Sequence, residues 1–161
     1  MNRHWLLSGI LACWLPAGCA DGARAPLQAN ALCEIGETVA FSCHLGKKQV
    51  SLCQAANAGK AWRYRYGTPA KIELAFPEAE TGDAALFSAS EKPTNGGANS
   101  VVSFARGGYE YRVFSRVAKG EDGEPMFEDG LEVVKDGKLV SHRVCDDGGE
   151  GFRVDVSALI R

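Results

Sequence analysis

Short stretches in which apolar and polar residues alternate recur along this chain. Residues 38–44 (TVAFSCH), 62–66 (WRYRY) and 71–76 (KIELAF) each place large apolar side chains at every second position. A period of two residues is typical of a β-strand that buries one face. No stretch has the pattern of an amphipathic helix of three turns, so the sequence predicts strands with little helix.

Glycine-containing turns separate these stretches and predict hairpins. The clearest is residues 107–108 (GG): if they form a two-residue turn, Phe104 faces Tyr111 and Val102 faces Val113, so the large apolar side chains fall on one side. Another hairpin turns at residues 136–137 (DG). Seven or eight such strands predict an all-β fold, a small antiparallel β-sandwich or barrel stabilised by disulfides.

Three segments fall outside this hairpin pattern. Residues 91–100 (EKPTNGGANS) are predicted to form a flexible, turn-rich loop, and residues 118–130 (AKGEDGEPMFEDG) an acidic loop. Residues 152–156 (FRVDV) are predicted to form a last short strand.

The first residues have the pattern of an export signal, with a short basic start, an apolar run over residues 5–16 that is too short to span a bilayer, and small residues after it. Residues 15–19 (LPAGC) are similar to the lipobox of bacterial lipoproteins, in which Cys19 would be lipid-modified, although Pro16 replaces the usual apolar residue. The alternative is ordinary cleavage after Ala20. The predicted organisation is a signal peptide (1–19), a flexible tether (20–31) and a single β-domain (32–161).

Four cysteines follow the leader: Cys33, Cys43, Cys53 and Cys145. Because an exported domain lies in an oxidising compartment, two disulfides are expected. Of the three possible pairings, the preferred one joins Cys43 to Cys53 across the first hairpin and Cys33 to Cys145. Cys53, however, falls on the opposite face from its apolar neighbours, so this pairing would need a bulge, or another pairing is formed.

The charge of the exported part is nearly balanced, with 17 basic and 20 acidic side chains once Arg3 is removed with the leader. A nucleic-acid-binding protein is expected to carry a basic stripe, and a membrane-surface protein a polybasic patch. The sequence shows neither, so the only membrane contact it predicts is a lipid anchor.

Five stretches carry a resemblance: residues 33–43 (CEIGETVAFSC), 50–53 (VSLC), 64–74 (YRYGTPAKIEL), 107–111 (GGYEY) and 134–138 (VKDGK). Together they resemble a family of small, uncharacterised, cysteine-containing exported proteins and lipoproteins of Gram-negative bacteria. The resemblance implies a periplasmic or lipid-anchored location. It implies no activity, so no functional residue is carried over from it.

Two groups of side chains are candidates for binding. Trp62, Tyr64 and Tyr66 share one face of a predicted strand and would stack on a sugar or peptide, although such a stripe is more often a core face. The second group lies in the polar loop 91–100, since loops on rigid β-scaffolds often carry binding residues, unless the loop is only a connector. Its members are Asn95, Asn99 and Ser100.

Neither a metal site, a cofactor site nor a catalytic motif is predicted. His44 and His142 are the only histidines after the leader, whereas zinc needs three or four ligands at characteristic spacing. The acidic loop lacks the spacing of an EF-hand, and no Gly-x-Ser-x-Gly motif presents a nucleophile.

The predicted function is that of a non-catalytic binding protein of the bacterial envelope, located in the periplasm and lipid-anchored, or otherwise secreted. Its partner would be an envelope protein, a host protein such as a lysozyme, or a cell-wall fragment. A periplasmic inhibitor of lysozyme or another hydrolase is one alternative, by analogy of size and design, and an uncharacterised hydrolase is the other. An inhibitor should present a rigid exposed loop, an enzyme a cleft with paired groups of perturbed pKa, and a purely structural protein neither.

Overall fold

The computed structural model describes residues 28–55, 61–78 and 84–159. These ranges contain nine β-strands and two 3-10 helices, Ala84–Leu86 and Ser157–Leu159. The strands are β1 (Glu37–Leu45), β2 (Lys48–Ala55), β3 (Trp62–Thr68), β4 (Lys71–Phe76), β5 (Ser88–Thr94), β6 (Gly97–Arg106), β7 (Tyr109–Lys119), β8 (Pro125–Lys135) and β9 (Lys138–Val144). Sheet 1 has the order β1-β2-β3-β4 and sheet 2 the order β5-β6-β7-β8-β9. Every neighbouring pair is antiparallel.

The prediction of an all-β antiparallel fold is confirmed, with nine strands in the described ranges instead of seven or eight. These strands form two separate sheets and not one closed barrel. Both predicted hairpin turns are present, and the β6–β7 ladder pairs Phe104 with Tyr111 and Val102 with Val113.

Three local predictions are wrong. Residues 91–100 form no flexible loop, because β5 and β6 pair around the two-residue turn at residues 95–96. The acidic loop is confined to residues 120–124, since β8 already begins at Pro125. Alternation of apolar and polar residues did not reveal these strands, because much of β5 and the start of β8 are exposed on both faces. Residues 152–156 form no strand.

The core lies between the two sheets. Phe104 of sheet 2 stacks on Phe76 of sheet 1 with ring centroids 4.3 Å apart, and on Tyr111 at 5.0 Å. Tyr64 of sheet 1 reaches the same ring at 4.8 Å. Each sheet thus buries one face against the other, which is the arrangement of a β-sandwich.

The outer face of sheet 1 is covered by residues 28–36. The amide of Leu32 donates to Ser51 Oγ at 3.0 Å, and the Gln28 side chain donates to the carbonyl of Glu34 at 2.9 Å. Residues 28–31, assigned from the sequence to the tether, are therefore packed on the sheet. The predicted signal peptide, Cys19 and residues 20–27 lie outside the described residues.

All four cysteines form disulfides, as predicted, but the preferred pairing is wrong: the bonds are Cys33–Cys53 and Cys43–Cys145. In the β1–β2 ladder Cys43 lies opposite Val50 and faces the core. Cys53 lies farther along β2 and belongs to the small cluster on the outer side. Because the two side chains point to opposite faces, no bond can join them.

Candidate functional site at the open end of the sandwich

Sheet 2 extends beyond sheet 1 at one end. Strands β7 and β8 have 11 residues each, whereas the longest strand of sheet 1, β1, has 9. Along β7 the core-facing positions are Val113, then Ser115, then Val117. Of these three, Val113 belongs to the central core cluster. From Val113 toward the end of β7, the core-facing side of sheet 2 carries first a row of polar residues, which includes Ser115, and then a row of apolar residues, which includes Val117.

The polar row crosses four strands. The ladders place Glu91 beside Ser100, Ser100 beside Ser115, and Ser115 beside Asp129. Ser100 Oγ donates to the Glu91 carboxylate at 2.9 Å. Polar side chains at core-facing positions need hydrogen-bond partners or solvent. Here Glu91 is exposed to solvent, and the C-terminal segment supplies a partner for Asp129.

The C-terminal segment, residues 145–159, bridges the two sheets at this end. The amide of Gly151 donates to the buried Asp129 carboxylate of sheet 2 at 2.6 Å, and the amide of Arg153 donates to the carbonyl of Ala40 in sheet 1 at 2.8 Å. Ala40 is the extra residue of a β-bulge in β1, which leaves it unpaired in the ladder. Phe152 then packs on Phe41 with ring centroids 5.3 Å apart.

Glycine at position 149 allows the C-terminal segment to approach Asp129 closely. A Cβ at residue 149 would meet the Asp129 carboxylate and lie 2.5 Å from its Cβ, and the backbone there has φ +62°. Only glycine adopts such a conformation without strain beside another side chain. The glycine-rich stretch 148–151 is therefore what lets the segment lie against the polar row.

Between the polar row and the C-terminal segment lies a cleft of about 370 Å³. Sheet 2 contributes Glu91, Ser100 and Ser115, and the segment contributes Phe152, Asp155 and Ser157 together with two valines. This volume is within the range of small-molecule sites, roughly 300–1,000 Å³. We call this space the C-terminal cleft.

The C-terminal cleft is acidic. Glu91 and Asp155 line it, and none of the described residues that line it is basic. Hydrogen bonds from the hydroxyl and amide of Ser157 lower the pKa of Asp155, so this carboxylate is ionised at neutral pH. The nearby guanidinium of Arg153 binds Glu150 at 2.8 Å.

The β7–β8 hairpin projects next to the cleft and ends in a loop that is internally bonded. The amide of Gly120 donates to the carbonyl of Glu124 at 2.8 Å, and the amide of Glu124 donates to Asp122 Oδ1 at 3.1 Å. The amide of Lys119 donates to the carbonyl of Asn95 at 2.6 Å, which ties the hairpin to the β5–β6 turn. The loop is thus an ordered projection, and it carries Glu121, Asp122 and Glu124.

The hairpin also exposes large apolar side chains. Phe127 is 68% exposed and lies opposite Val117, on the same side of the sheet as the cleft. Met126 is 59% exposed and lies on the other side. Single exposed apolar residues are common, but these two follow an acidic loop at the end of the β7–β8 hairpin. We call Val117, Phe127 and the loop 120–124 the hairpin surface.

The structure places the predicted aromatic stripe in the core. Trp62 and Tyr64 are buried, and Tyr66 packs against the same cluster. These rings form the core face of sheet 1 and are not a platform open to a ligand. Burial, with smaller contributions from Tyr66 and Tyr111, raises the pKa of the Tyr64 hydroxyl well above its ordinary value.

The three polar residues predicted from the segment 91–100 separate in the structure. Asn95 forms the β5–β6 turn, and its carbonyl receives the Lys119 amide. Asn99 lies in β6 opposite Arg116, one position from Ser100 and therefore on the outer face of sheet 2. Ser100 alone among the six proposed binding residues lines the C-terminal cleft.

The donor sets in the described part of the chain do not fit a metal ion. Two groups bring sulfur atoms near a carboxylate, one at Cys33, Cys53 and Glu37 and one at the other disulfide with Asp147. In both groups the sulfurs are bonded to each other, and the thiolate is the form that binds metals. His44 instead pairs with Asp147, Nδ1 to Oδ2 at 2.8 Å.

A second cleft, of about 430 Å³, lies beside Arg63 and Arg65 on the outer side of sheet 1. The Arg65 guanidinium binds both carboxylate oxygens of Glu37, at 2.6 and 3.1 Å, and Glu34 at 3.1 Å. Its side chain is 5% exposed. Because its donors are used within the protein, this cluster holds residues 28–36 on the sheet and offers little to a ligand.

Sequence reasoning missed Glu91, Ser115, Asp155 and Phe127. A signal was available for Ser115, because the β6–β7 register that pairs Val102 with Val113 also pairs residue 100 with residue 115 on the same face. Glu91 was missed because β5 was predicted to be part of a loop. No such signal existed for Asp155 or Phe127, because their neighbours in space come from remote parts of the chain.

Comparisons of the chain with protein-family models, with curated proteins and with solved structures find no match. The resemblance to exported proteins of Gram-negative bacteria therefore stays a prediction. In the described ranges no helix is long and apolar enough to cross a membrane. The two disulfides are consistent with an oxidising compartment, extracellular or periplasmic.

Proposed function

We propose that this protein is a non-catalytic binding protein of the bacterial envelope whose partner is a basic protein, bound at the hairpin surface. The observation that carries the proposal is the ordered β7–β8 hairpin, in which exposed Phe127 lies three residues after a loop that carries three carboxylates. An exposed aromatic residue supplies the contact area of an interface, and acidic neighbours select a basic partner and speed its approach.

Binding is favoured over catalysis by the state of the carboxyl groups. Three described carboxyls have a clearly displaced pKa, and in each it is lowered. Hydrogen bonding to Arg112 lowers that of Glu110; in Asp147 partial burial opposes the shift and hydrogen bonds outweigh it. A general acid needs a raised pKa. Glu110 and Asp147 are already bonded to Arg112 and His44, whereas Asp155 has no ion pair with a described residue and suits the recognition of positive charge.

The proposal includes a periplasmic location with a lipid anchor at Cys19. The oxidised cysteines support an exported protein, and the lipobox-like residues 15–19 support the anchor. Mass spectrometry of unreduced protein recovered from membranes tests both. A lipid-sized increment on Cys19 is expected. A soluble product beginning near Asp21 would contradict the anchor.

Inhibition of a basic cell-wall hydrolase such as a lysozyme is the second candidate function. The feature that favours it is the rigidity of the projecting loop, whose ends are tied by hydrogen bonds to each other and to the β5–β6 turn. A preorganised loop loses little conformational entropy when it enters an enzyme cleft.

Calorimetry with lysozyme as the basic probe protein tests the binding surface. We expect saturable binding that Phe127→Ala weakens at least tenfold. Leu139→Ala, which removes an exposed side chain opposite Val134, seven residues along β8 from Phe127, should have no effect. Lysozyme activity on cell walls separates the candidates: full activity in the complex supports a binding protein, and loss of activity supports an inhibitor. Absence of binding, or binding unchanged by Phe127→Ala, would contradict the proposed surface.

A further inference from the structure

The C-terminal cleft and the hairpin surface are neighbouring parts of one sheet face. Ser115 and Val117 are two residues apart on β7, and Asp129 and Phe127 are two residues apart on β8. Two residues along a strand span about 7 Å. A protein segment in contact with Phe127 is therefore within one side chain's length of the cleft.

The walls of the cleft have two chemical characters. Phe152 and two valines present apolar surface, while Glu91 and Asp155 present negative charge. Neither carboxylate forms an ion pair with a described residue, and Lys92 points to the other face of β5 from Glu91. The hydroxyls of Ser100 and Ser115 add two further acceptors at the base of the cleft.

From this arrangement we infer that the C-terminal cleft receives the ammonium group of a lysine side chain, with its methylene stem on Phe152 and the valines and its charge between Glu91 and Asp155. Lysine side chains bury their apolar stems while keeping their charge among polar groups. The inference rests on the proposed function in one respect, because the lysine is taken to belong to the basic partner.

Other ligand classes fit the cleft less well. An anion would be repelled by two carboxylates. A neutral sugar would leave both carboxylates without a counter-charge. A divalent ion needs several donor atoms around one point, and Glu91 and Asp155 belong to neither of the clusters of closely spaced donor atoms found in the described ranges.

The test is a titration of the exported, disulfide-bonded protein, followed by the NMR signals of its backbone amides. The probe is Nα-acetyl-lysine methylamide, and the matched control is Nα-acetyl-norleucine methylamide, which has the same stem without the charge. We expect the lysine compound to shift the signals of residues 100, 115 and 151–157 in a saturable way. The norleucine compound should produce no saturable shift at these positions.

Variants that remove one negative charge test which carboxylates bind the ammonium group. Glu91→Gln retains the acceptor for Ser100, and Asp155→Asn retains a side-chain acceptor for Ser157, so the fold of the segment is kept. Each should weaken binding of the lysine compound about fivefold to tenfold, which corresponds to about 1–1.4 kcal/mol. Asp136→Asn, in the exposed β8–β9 turn and outside both the cleft and the hairpin surface, should leave it unchanged. Glu91 is exposed, so its variant remains informative if Asp155→Asn loosens the segment.

Three results would overturn the inference: equal binding of both compounds, shifts confined to other residues, or no shift up to the solubility limit of the lysine compound. Its failure is distinguishable from failure of the proposed function. If Phe127→Ala abolishes lysozyme binding while the lysine compound does not enter the cleft, the function stands and the lysine site falls. If the compound binds as expected while Phe127→Ala has no effect on lysozyme, the proposed hairpin surface falls instead.

Discussion

The two disulfides should contribute unequally to stability, because they close loops of different length. Cys43–Cys145 spans 102 residues of sequence, and Cys33–Cys53 spans 20. If a disulfide acts by restricting the unfolded chain, these loops correspond to about 4.7 and about 3.3 kcal/mol. Removing the longer link should therefore lower the free energy of unfolding by about 1.4 kcal/mol more than removing the shorter one.

Contacts in the native structure also predict that the Cys43–Cys145 bond contributes more to stability than the Cys33–Cys53 bond. Cys145 follows β9 directly, and its neighbour Asp146 donates its amide to the carbonyl of His44 at 2.9 Å. The Cys43–Cys145 bond thus holds the start of the C-terminal segment on sheet 1, where that segment closes the end of the core. The Cys33–Cys53 bond holds only residues 28–36 on the outer face of sheet 1.

The comparison uses the double variants Cys43→Ala/Cys145→Ala and Cys33→Ala/Cys53→Ala. Each removes two buried sulfurs, so the loss of packing at the bonds is similar, and the difference reports the loop lengths together with the segment that each bond holds. Urea unfolding followed by circular dichroism gives both free energies and their slopes. We expect both variants to be less stable than the wild type and the first to be the less stable of the two. Equal losses, or a larger loss for the Cys33–Cys53 link, would refute the loop-length reasoning.

Three further variants probe the core, a close approach and a surface pair. Tyr64→Phe should raise the free energy of unfolding by about 1 kcal/mol in urea titrations, because the buried hydroxyl has no hydrogen-bond partner in the described structure; a loss of stability would show that the hydroxyl is satisfied. Gly130→Ala should cost about 1–3 kcal/mol, since its Cβ would meet the carbonyl oxygen of Arg143 in β9 and lie 2.7 Å from the Phe114 ring, and an unchanged Tm would contradict the close approach of β9 and Phe114 to residue 130. Partial burial alone would raise the pKa of Asp147, but hydrogen bonds, chiefly from His44, lower it in the folded protein. The contribution of Asp147 to the free energy of unfolding is therefore present above its ordinary pKa of 3.8 and is lost as the pH falls through the lower folded value. Asp147→Asn should therefore reduce stability at neutral pH and flatten its decline below about pH 4; a pH–stability curve parallel to that of the wild type would contradict this.

The sequence by itself determined the class of fold and the β6–β7 hairpin. Strand alternation depends on side chains two residues apart, and the turn at residues 107–108 depends on adjacent glycines, so both can be inferred from neighbours in the chain. The same local reasoning predicted oxidised cysteines from their number. It also predicted Ser100 as a candidate binding residue, which the structure places at the C-terminal cleft, although in a strand and not in a loop.

Tertiary structure alone decided which cysteines pair and where the candidate site lies. Cys43 and Cys53 are close in sequence, but the sheet turns them to opposite faces, and the partner of Cys43 comes from residue 145. The C-terminal cleft likewise needs β6 and β7 to be longer than the strands of sheet 1, and needs a bulge in β1 to receive the C-terminal segment. Such relations join residues that are far apart in the sequence, and the free energy that selects them comes from packing between elements, which no local pattern records.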